Sequence, residues 1–373
     1  MGRAVDLSDV EVIDNHVHGF RIDALLSHDA EDFETRLNLL GTLFSDSTRT
    51  SEAGRADPSL WQQVRRMTDS TVFSLAARRL LAERLGCEPT GEALAAARDK
   101  AFRDDPVSYI RDLLQDAGVA GLLVDDGFPL PRIPSSEFRS TVGGKTPVHR
   151  VARIETMILD VREAAKDLTA LEEAFEAELD AAAADATTVA FKSIIAYRTG
   201  LDVGPIDRDE AAAAYGRWRA DGWRETREHA KPVRDHLLHR AAEAAGRHDR
   251  VLHVHTGDGD PDIVLSRARP HDLFPFLKDH LAQPIVLIPW ASLGIERMLT
   301  ALLGTAPAGK LLYSSDEASE PEVIWIAARM GRRALERVLA DAVERDFITI
   351  QEAETLGRGI LSENSQRLHG IGG

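Results

Sequence analysis

Ile13 to Gly19 reads IDNHVHG, two histidines one residue apart at the end of an apolar stretch near the start of the chain. On a β-strand, residues two apart face the same side, so His16 and His18 present both imidazoles to one face, as shared metal binding requires. The competing reading is a pair of packed or solvent-facing histidines, the commoner fate of a single histidine on a strand. Recurrence separates the two. In LHVHTGDGD, Leu252 to Asp260, His253 and His255 repeat the spacing on a second apolar run that ends in a glycine-rich turn. A carboxylate joins them: Asp316, in LLYSSDEASEPE, stands where another apolar run opens into a polar loop. Asp316 alone reads equally as a helix cap ahead of EPEVIWIAA, and it can do both. Asp258 and Asp260 read first as turn residues.

Outward from these motifs, short apolar runs rich in β-branched residues alternate with helical stretches, the rhythm of βα units wound around a parallel sheet. Seven runs can be read: VEVIDNHVH, VAGLLVDD, PVHRVARIETMIL, TTVAFKSIIAY, RVLHVHTGD, PIVLIPWAS and KLLYSSD. Most are nearly continuously apolar, as strands covered on both faces should be. Between the third and fourth, Leu168, Leu171, Phe175 and Leu179 fall at spacings of three and four among acidic residues, which predicts an amphipathic crossover helix. The first interval differs, because roughly ninety residues separate the first two strands, far more than a βα loop needs. Its stretches DPSLWQQVRRM, TVFSLAARRLLAERLG and TGEALAAARDKAF carry helix formers, with starts at Asp57, Thr71 and Thr90. We expect one domain over residues 1–373, with residues 20–110 a helical insertion flanking the barrel mouth and residues 320–373 a pair of closing helices.

The 373 residues, 43% of them hydrophobic, can bury a large core. Against 45 basic residues stand 61 acidic ones, and the formal net charge of −16 repels nucleic-acid phosphates and anionic membranes. The expected partner is a small molecule, with no nucleic acid and no membrane. A lone cysteine, Cys87, excludes an internal disulfide and a cysteine-rich metal site, and fits a reducing compartment. With no secretion-type start and no apolar run of about 18 residues, the expected location is the cytoplasm.

Taken together and in order, IDNHVHG, GLLVDDG, RVARIE, FKSIIAYRTGL, HVHTGDGD, KLLYSSDEASEPE and GILSENSQRLHG resemble the metal-dependent amidohydrolase superfamily. Within it they resemble the amidohydrolase-related branch that includes the N-terminal domain of fungal FluG-type proteins. The resemblance implies a distorted TIM-type (β/α) barrel with its metal at the C-terminal ends of the strands. It places His16 and His18 as the metal-binding pair of the first strand, His255 as the histidine of the fifth, and Asp316 as the aspartate of the last and the acceptor of a water proton. A homodimer is implied on the same ground. The residue types agree, since imidazoles and a carboxylate suit Zn²⁺, with Mn²⁺ and Fe²⁺ overlapping in preference. Such an ion lowers the pKa of its water from about 15.7 to about 7. The expected reaction is hydrolysis of an amide-type C–N bond in a small polar substrate. A lyase reaction such as decarboxylation, which the branch also performs, and a degenerate barrel that binds without turnover are the alternatives.

Lys192, inside AFKSIIAY, is costly to bury unless paired or modified. It reads either as salt-bridged to Glu155 or Asp316 or, as in some members of the superfamily, as a carboxylated lysine bridging two metals. Tyr197 and Arg198 could grip a substrate carboxylate, which the guanidinium fork matches, or lie on the rim. The resemblance breaks at the sixth strand: PIVLIPWASLGIE lacks the family's histidine, and only one βα unit fits between HVHTGDGD and KLLYSSD. The barrel is therefore expected to be open or seven-stranded, one unit short. His253 is a candidate for the missing imidazole, and Trp290 either lines the enlarged site or packs. His28, His229, His236, His239, His248 and His280 stand in polar contexts and receive no role.

Overall fold

Six of the apolar runs form strands in the computed structural model of the chain, which describes residues 5–38, 41, 51–57, 59–257, 259–260, 262–289 and 295–372. These are β1 (Val12–His18), β2 (Val119–Asp125), β3 (Val148–Arg153), β4 (Thr188–Ser193), β5 (Val251–Thr256) and β6 (Ile285–Pro289). Each pairs in parallel with the next in sequence. Every residue of β4 and β5 is buried, as a parallel sheet covered on both faces demands.

The sheet curls into a partial barrel. Ile13, Leu123, Val151, Ala190 and Val251 share one buried cluster on its inner side, against Leu368 and Ile371. The short helix Asn364–His369 touches strands at both ends of this row. Ser365 Oγ donates to Asn15 Oδ1 on β1 (2.6 Å), while His369 Nε2 meets His253 Nε2 on β5 (2.9 Å). Four flat strand spacings would hold β1 and β5 about 19 Å apart. A helix of this length rises only ~9 Å, so it reaches both because the strands bend around it.

The seventh run is not a strand. Its residues lie alongside β1 and run the same way: Asn15 N donates to Tyr313 O (3.1 Å), Asp316 N to His16 O (2.9 Å) and His18 N to Glu317 O (2.6 Å). Side chains of β1 take the places of a regular ladder, Asn15 Nδ2 donating to Tyr313 O and Asp14 Oδ1 accepting from Ser315 N. Asp316 then turns into the left-handed region at φ 56°, which a short polar side chain tolerates. Among the described residues the sheet is six-stranded, and no strand pairing joins β6 to this segment.

Helices Ile154–Arg162, Leu168–Ala184, Arg208–Ala220 and Ala230–Arg247 pack a buried cluster around Phe175, Phe191 and Trp218 on the outer side of β3 to β5. In the second of these, Leu168, Leu171, Phe175 and Leu179 are all buried, as their spacing predicts, and Asp167 caps it by accepting from Ala170 N (2.9 Å). Between β1 and β2 lie helices Ile22–Ser27, Ala30–Arg36, Glu52–Ala56, Ser59–Asp69, Val72–Leu85, Gly91–Asp104 and Pro106–Asp116. Thr71 and Thr90 cap two of them, accepting from Ser74 N (3.2 Å) and Ala93 N (3.3 Å), and Asp57 both ends Glu52–Ala56 and accepts at Oδ1 from Ser59 N (3.0 Å) at the start of Ser59–Asp69. Beyond Asp316, helices Pro321–Glu344 and Ile350–Arg358 lead through a π turn, Gly359–Glu363, into Asn364–His369. No helix among the described residues is long and apolar enough to cross a membrane.

Candidate metal centre

At the C-terminal end of β1, His16 Nε2 lies 3.1 Å and His18 Nε2 3.8 Å from Asp316 Oδ1. One ligand atom from each of the three residues falls within 4.8 Å of the others, and the two rings stand edge to face with centroids 4.9 Å apart. Ligands at 2.0–2.2 Å around a tetrahedral Zn²⁺ are about 3.3 Å from one another, so this spacing is close to that of a first coordination shell. His16 is buried while His18 and Asp316 are half-buried, which leaves the group open to the barrel mouth.

Electrostatics favour the same use. Burial lowers both imidazoles, reinforced by Lys192 for His16 and by His16 for His18, which falls to about 3. Both are therefore neutral at pH 7. Burial alone would raise Asp316, but its hydrogen bond with His16 and the positive charge of Lys192 act against it, and the carboxyl lies well below its usual range. Neutral imidazoles and an ionised carboxylate are the protonation states that a divalent ion requires. The residues fit such an ion.

His255 is not in this group. It is the penultimate residue of β5, buried, with its ring 4.6 Å from that of Tyr197. Gly259 in the following turn approaches so closely that a Cβ there would sit 1.9 Å from Tyr197 Oη and 2.9 Å from His255 Nε2, and Tyr197 Oη accepts from Asp260 N (3.1 Å). Burial and the neighbouring carboxylates push Asp260 up to about 6, against which half-buried Arg198 pulls only weakly. β6 ends in Ile288 and Pro289, with Ile288 opposite His255, and carries no histidine. Trp290 and Asp258 lie outside the described residues.

Deeper in the barrel, Lys192 is fully buried between Arg153 and His253 on neighbouring strands, and its Nζ has no hydrogen-bond partner among the described residues. The salt bridge to Glu155 or Asp316 is not formed; Glu155 Oε1 instead accepts from Ser193 Oγ (2.8 Å). Burial pushes the Lys192 ammonium down to about 8, against the pull of Asp125 and Asp316. His253 commits its Nε2 to His369, and it too stands outside the group around Asp316.

Two charged residues that sequence reasoning passed over complete the inner wall. Asp125, at the end of β2 and opposite His18, takes a two-point contact from Arg153 at the end of β3: Nη2 to Oδ2 at 2.7 Å and Nε to Oδ1 at 3.0 Å. The available signal was their location in GLLVDDG and RVARIE, charged residues closing two apolar runs.

Comparisons with known proteins follow this architecture. No family model matches the chain. The protein fluG of Emericella nidulans is 28% identical over 351 residues, which cover 80% of this chain but 40% of the fungal protein, so the chain spans less than half the length of that relative. Among solved structures, a presumed metal-dependent hydrolase from Lactobacillus casei aligns over 98% of both chains with a TM-score of 0.76 at 23% identity. The uronate isomerase of Thermotoga maritima aligns over 97% of this chain and 95% of its own at 0.68 and 16%. That of Bacillus halodurans aligns over 98% and 94% at 0.64 and 13%. At these identities the likeness is one of fold, and it runs the length of the chain.

Proposed function

We propose that this chain is a metal-dependent enzyme of the amidohydrolase superfamily that hydrolyses an amide-type C–N bond of a small molecule. The observation that carries the reading is the convergence of His16, His18 and Asp316 within 4.8 Å at the strand ends of the barrel. A divalent ion held there, Zn²⁺ by preference of the donor set, would supply Lewis acidity toward a carbonyl oxygen and toward water. Asp316 turns Oδ1 to both imidazoles. That leaves Oδ2 to accept the proton of the attacking water and return it to the leaving nitrogen. Arg153 keeps Asp125 ionised behind the pair, adding negative potential that favours a cation at the histidines. Tyr197 and Arg198, in the short helix Ile195–Arg198 after β4, would orient a polar substrate group.

The test begins with metal analysis of protein purified without added metal, followed by an amide panel with the parent chain and Asp316→Asn. We expect about one ion per parent chain, and a loss of turnover of at least about a hundredfold in the variant. Metal-free parent protein, or product formed independently of Asp316, would overturn the reading. Product mass separates the neighbouring chemistries: hydrolysis adds water across the substrate, decarboxylation removes carbon dioxide, and isomerisation, the reaction named for the uronate isomerases of similar fold, leaves the mass unchanged.

A further inference from the structure

The loop after β2, Asp126 to Pro134, carries two large apolar side chains into solvent: Phe128 is 47% exposed and Leu130 72%. Leaving such a side chain in water forgoes the free energy of burying it, so an exposed pair next to a candidate active site calls for a cause. Looseness of the loop is not one. At its base, Asp126 N donates to Val151 O (3.1 Å) and Asp126 Oδ1 accepts from Arg153 N (3.0 Å). Gly127 lies so close to Arg153 that a Cβ would fall 2.2 Å from its Cδ. At the far end Ile133 is buried against Gly19, just beyond β1, and Arg21 donates to Pro131 O (3.4 Å). The fold thus pins both ends and holds the apolar tip in the open.

The position of the tip matters. The Phe128 ring stands edge to face with His18, centroids 5.5 Å apart at 86°. One side of the ring is thereby fixed against a residue of the metal centre, while nearly half of its surface stays uncovered. Phe128 thus brings an apolar face up to the centre, and Leu130 follows it two residues along the same loop.

We propose that Phe128 and Leu130 form an apolar subsite beside His18 that receives an aromatic or branched aliphatic group attached directly to the carbonyl acted on at the centre. This inference rests on the metal-centre reading above and narrows it: the substrate is an amide with an apolar acyl side. Phe128 sets specificity by contact and takes no part in proton transfer.

The experiment titrates zinc-loaded protein with two hydroxamates that present the same chelating group but different substituents, acetohydroxamic acid with a methyl and benzohydroxamic acid with a phenyl. We expect the phenyl compound to bind roughly tenfold more tightly. In Phe128→Ala, with zinc content retained, that preference should collapse toward unity; Phe128→Leu, which keeps apolar contact without a ring, should keep part of it. Equal affinities in the parent protein, or a preference that survives Phe128→Ala, overturn the subsite while leaving the metal centre standing. Protein that retains no zinc and binds neither compound overturns the metal-centre reading, and the subsite with it.

Discussion

Lys192 carries an amine into the middle of the barrel with neither a hydrogen bond nor an ion pair at Nζ among the described residues, and burial lowers its pKa from 10.5 to about 8. That difference corresponds to about 3 kcal/mol of stability given up at neutral pH. The sign follows from proton binding. Below about pH 8 the lysine is charged in folded and unfolded chains alike, and the penalty is fully present. Between about 8 and 10.5 the folded chain has released a proton that the unfolded chain still holds, so stability rises with pH. In metal-depleted protein, Lys192→Met should therefore unfold at higher urea than the parent at pH 7, with the gap closing by pH 10.5. A variant less stable than the parent at both pH values would show that the buried charge is not a burden. Single residues also differ in how far sequence discloses them. His16 and His18 were legible because strand period alone puts them on one face, and Lys192 because a charge interrupts an apolar run. The contact of Asp125 with Arg153 depends on how β2 and β3 are registered, which neither strand encodes by itself.

At the scale of elements, the helices between β1 and β2 are tied to the segment that follows Asp316 by contacts centred on Arg98. Arg98, buried in helix Gly91–Asp104, donates from Nη2 to Glu320 Oε2 (3.1 Å), from Nε to Glu322 Oε1 (3.2 Å) and from Nη1 to Leu25 O (3.3 Å). The rings of Phe102 and Phe33 lie 4.3 and 5.0 Å from its guanidinium. Tyr109 Oη donates to Glu322 Oε1 (2.9 Å), and His28 Nδ1 contacts Glu320 Oε1. Arg98→Ala would leave two buried carboxylates without their cation, for which we expect a loss of about 3–5 kcal/mol. Arg98→Lys should recover little of it, because an ammonium cannot fork to both glutamates. Urea unfolding followed by circular dichroism measures both; parent-like midpoints would show that the contact is ornamental. The helix formers of this region were readable in the sequence, but an arginine amid alanines and charged residues reads as solvent-facing, and nothing local announces glutamates more than two hundred positions away. KLLYSSD misled in the opposite sense. Its composition is that of a strand, and the ladder fails because Asp14 and Asn15 on β1 use side chains to bind its backbone.

For the whole molecule, the candidate metal centre lies where the two ends of the barrel sequence meet. Ser315 N reaches Asp14 Oδ1 across 301 positions of chain, and the Asp316 segment is otherwise held to β1 by a few backbone hydrogen bonds outside any regular ladder. Irregular edges of this kind open at lower cost than the parallel core of β3 to β5. An ion bridging His16, His18 and Asp316 would cross-link that seam, and because the unfolded chain scatters the three ligands, the ion binds the folded state selectively. At free ion a hundredfold above Kd this contributes about 2.7 kcal/mol. Chelation should accordingly lower the melting temperature, and zinc should restore it, whereas His16→Ala should respond to neither. Hydrogen exchange locates the effect: on chelation the amides of Asn15, His18 and Asp316, each bonded across the seam, should exchange faster, and those of β3 to β5 should not change. A melting temperature indifferent to chelator, with the seam equally protected in both states, would mean that backbone and side-chain contacts alone close this side of the barrel, and that His16, His18 and Asp316 gather there without a cation.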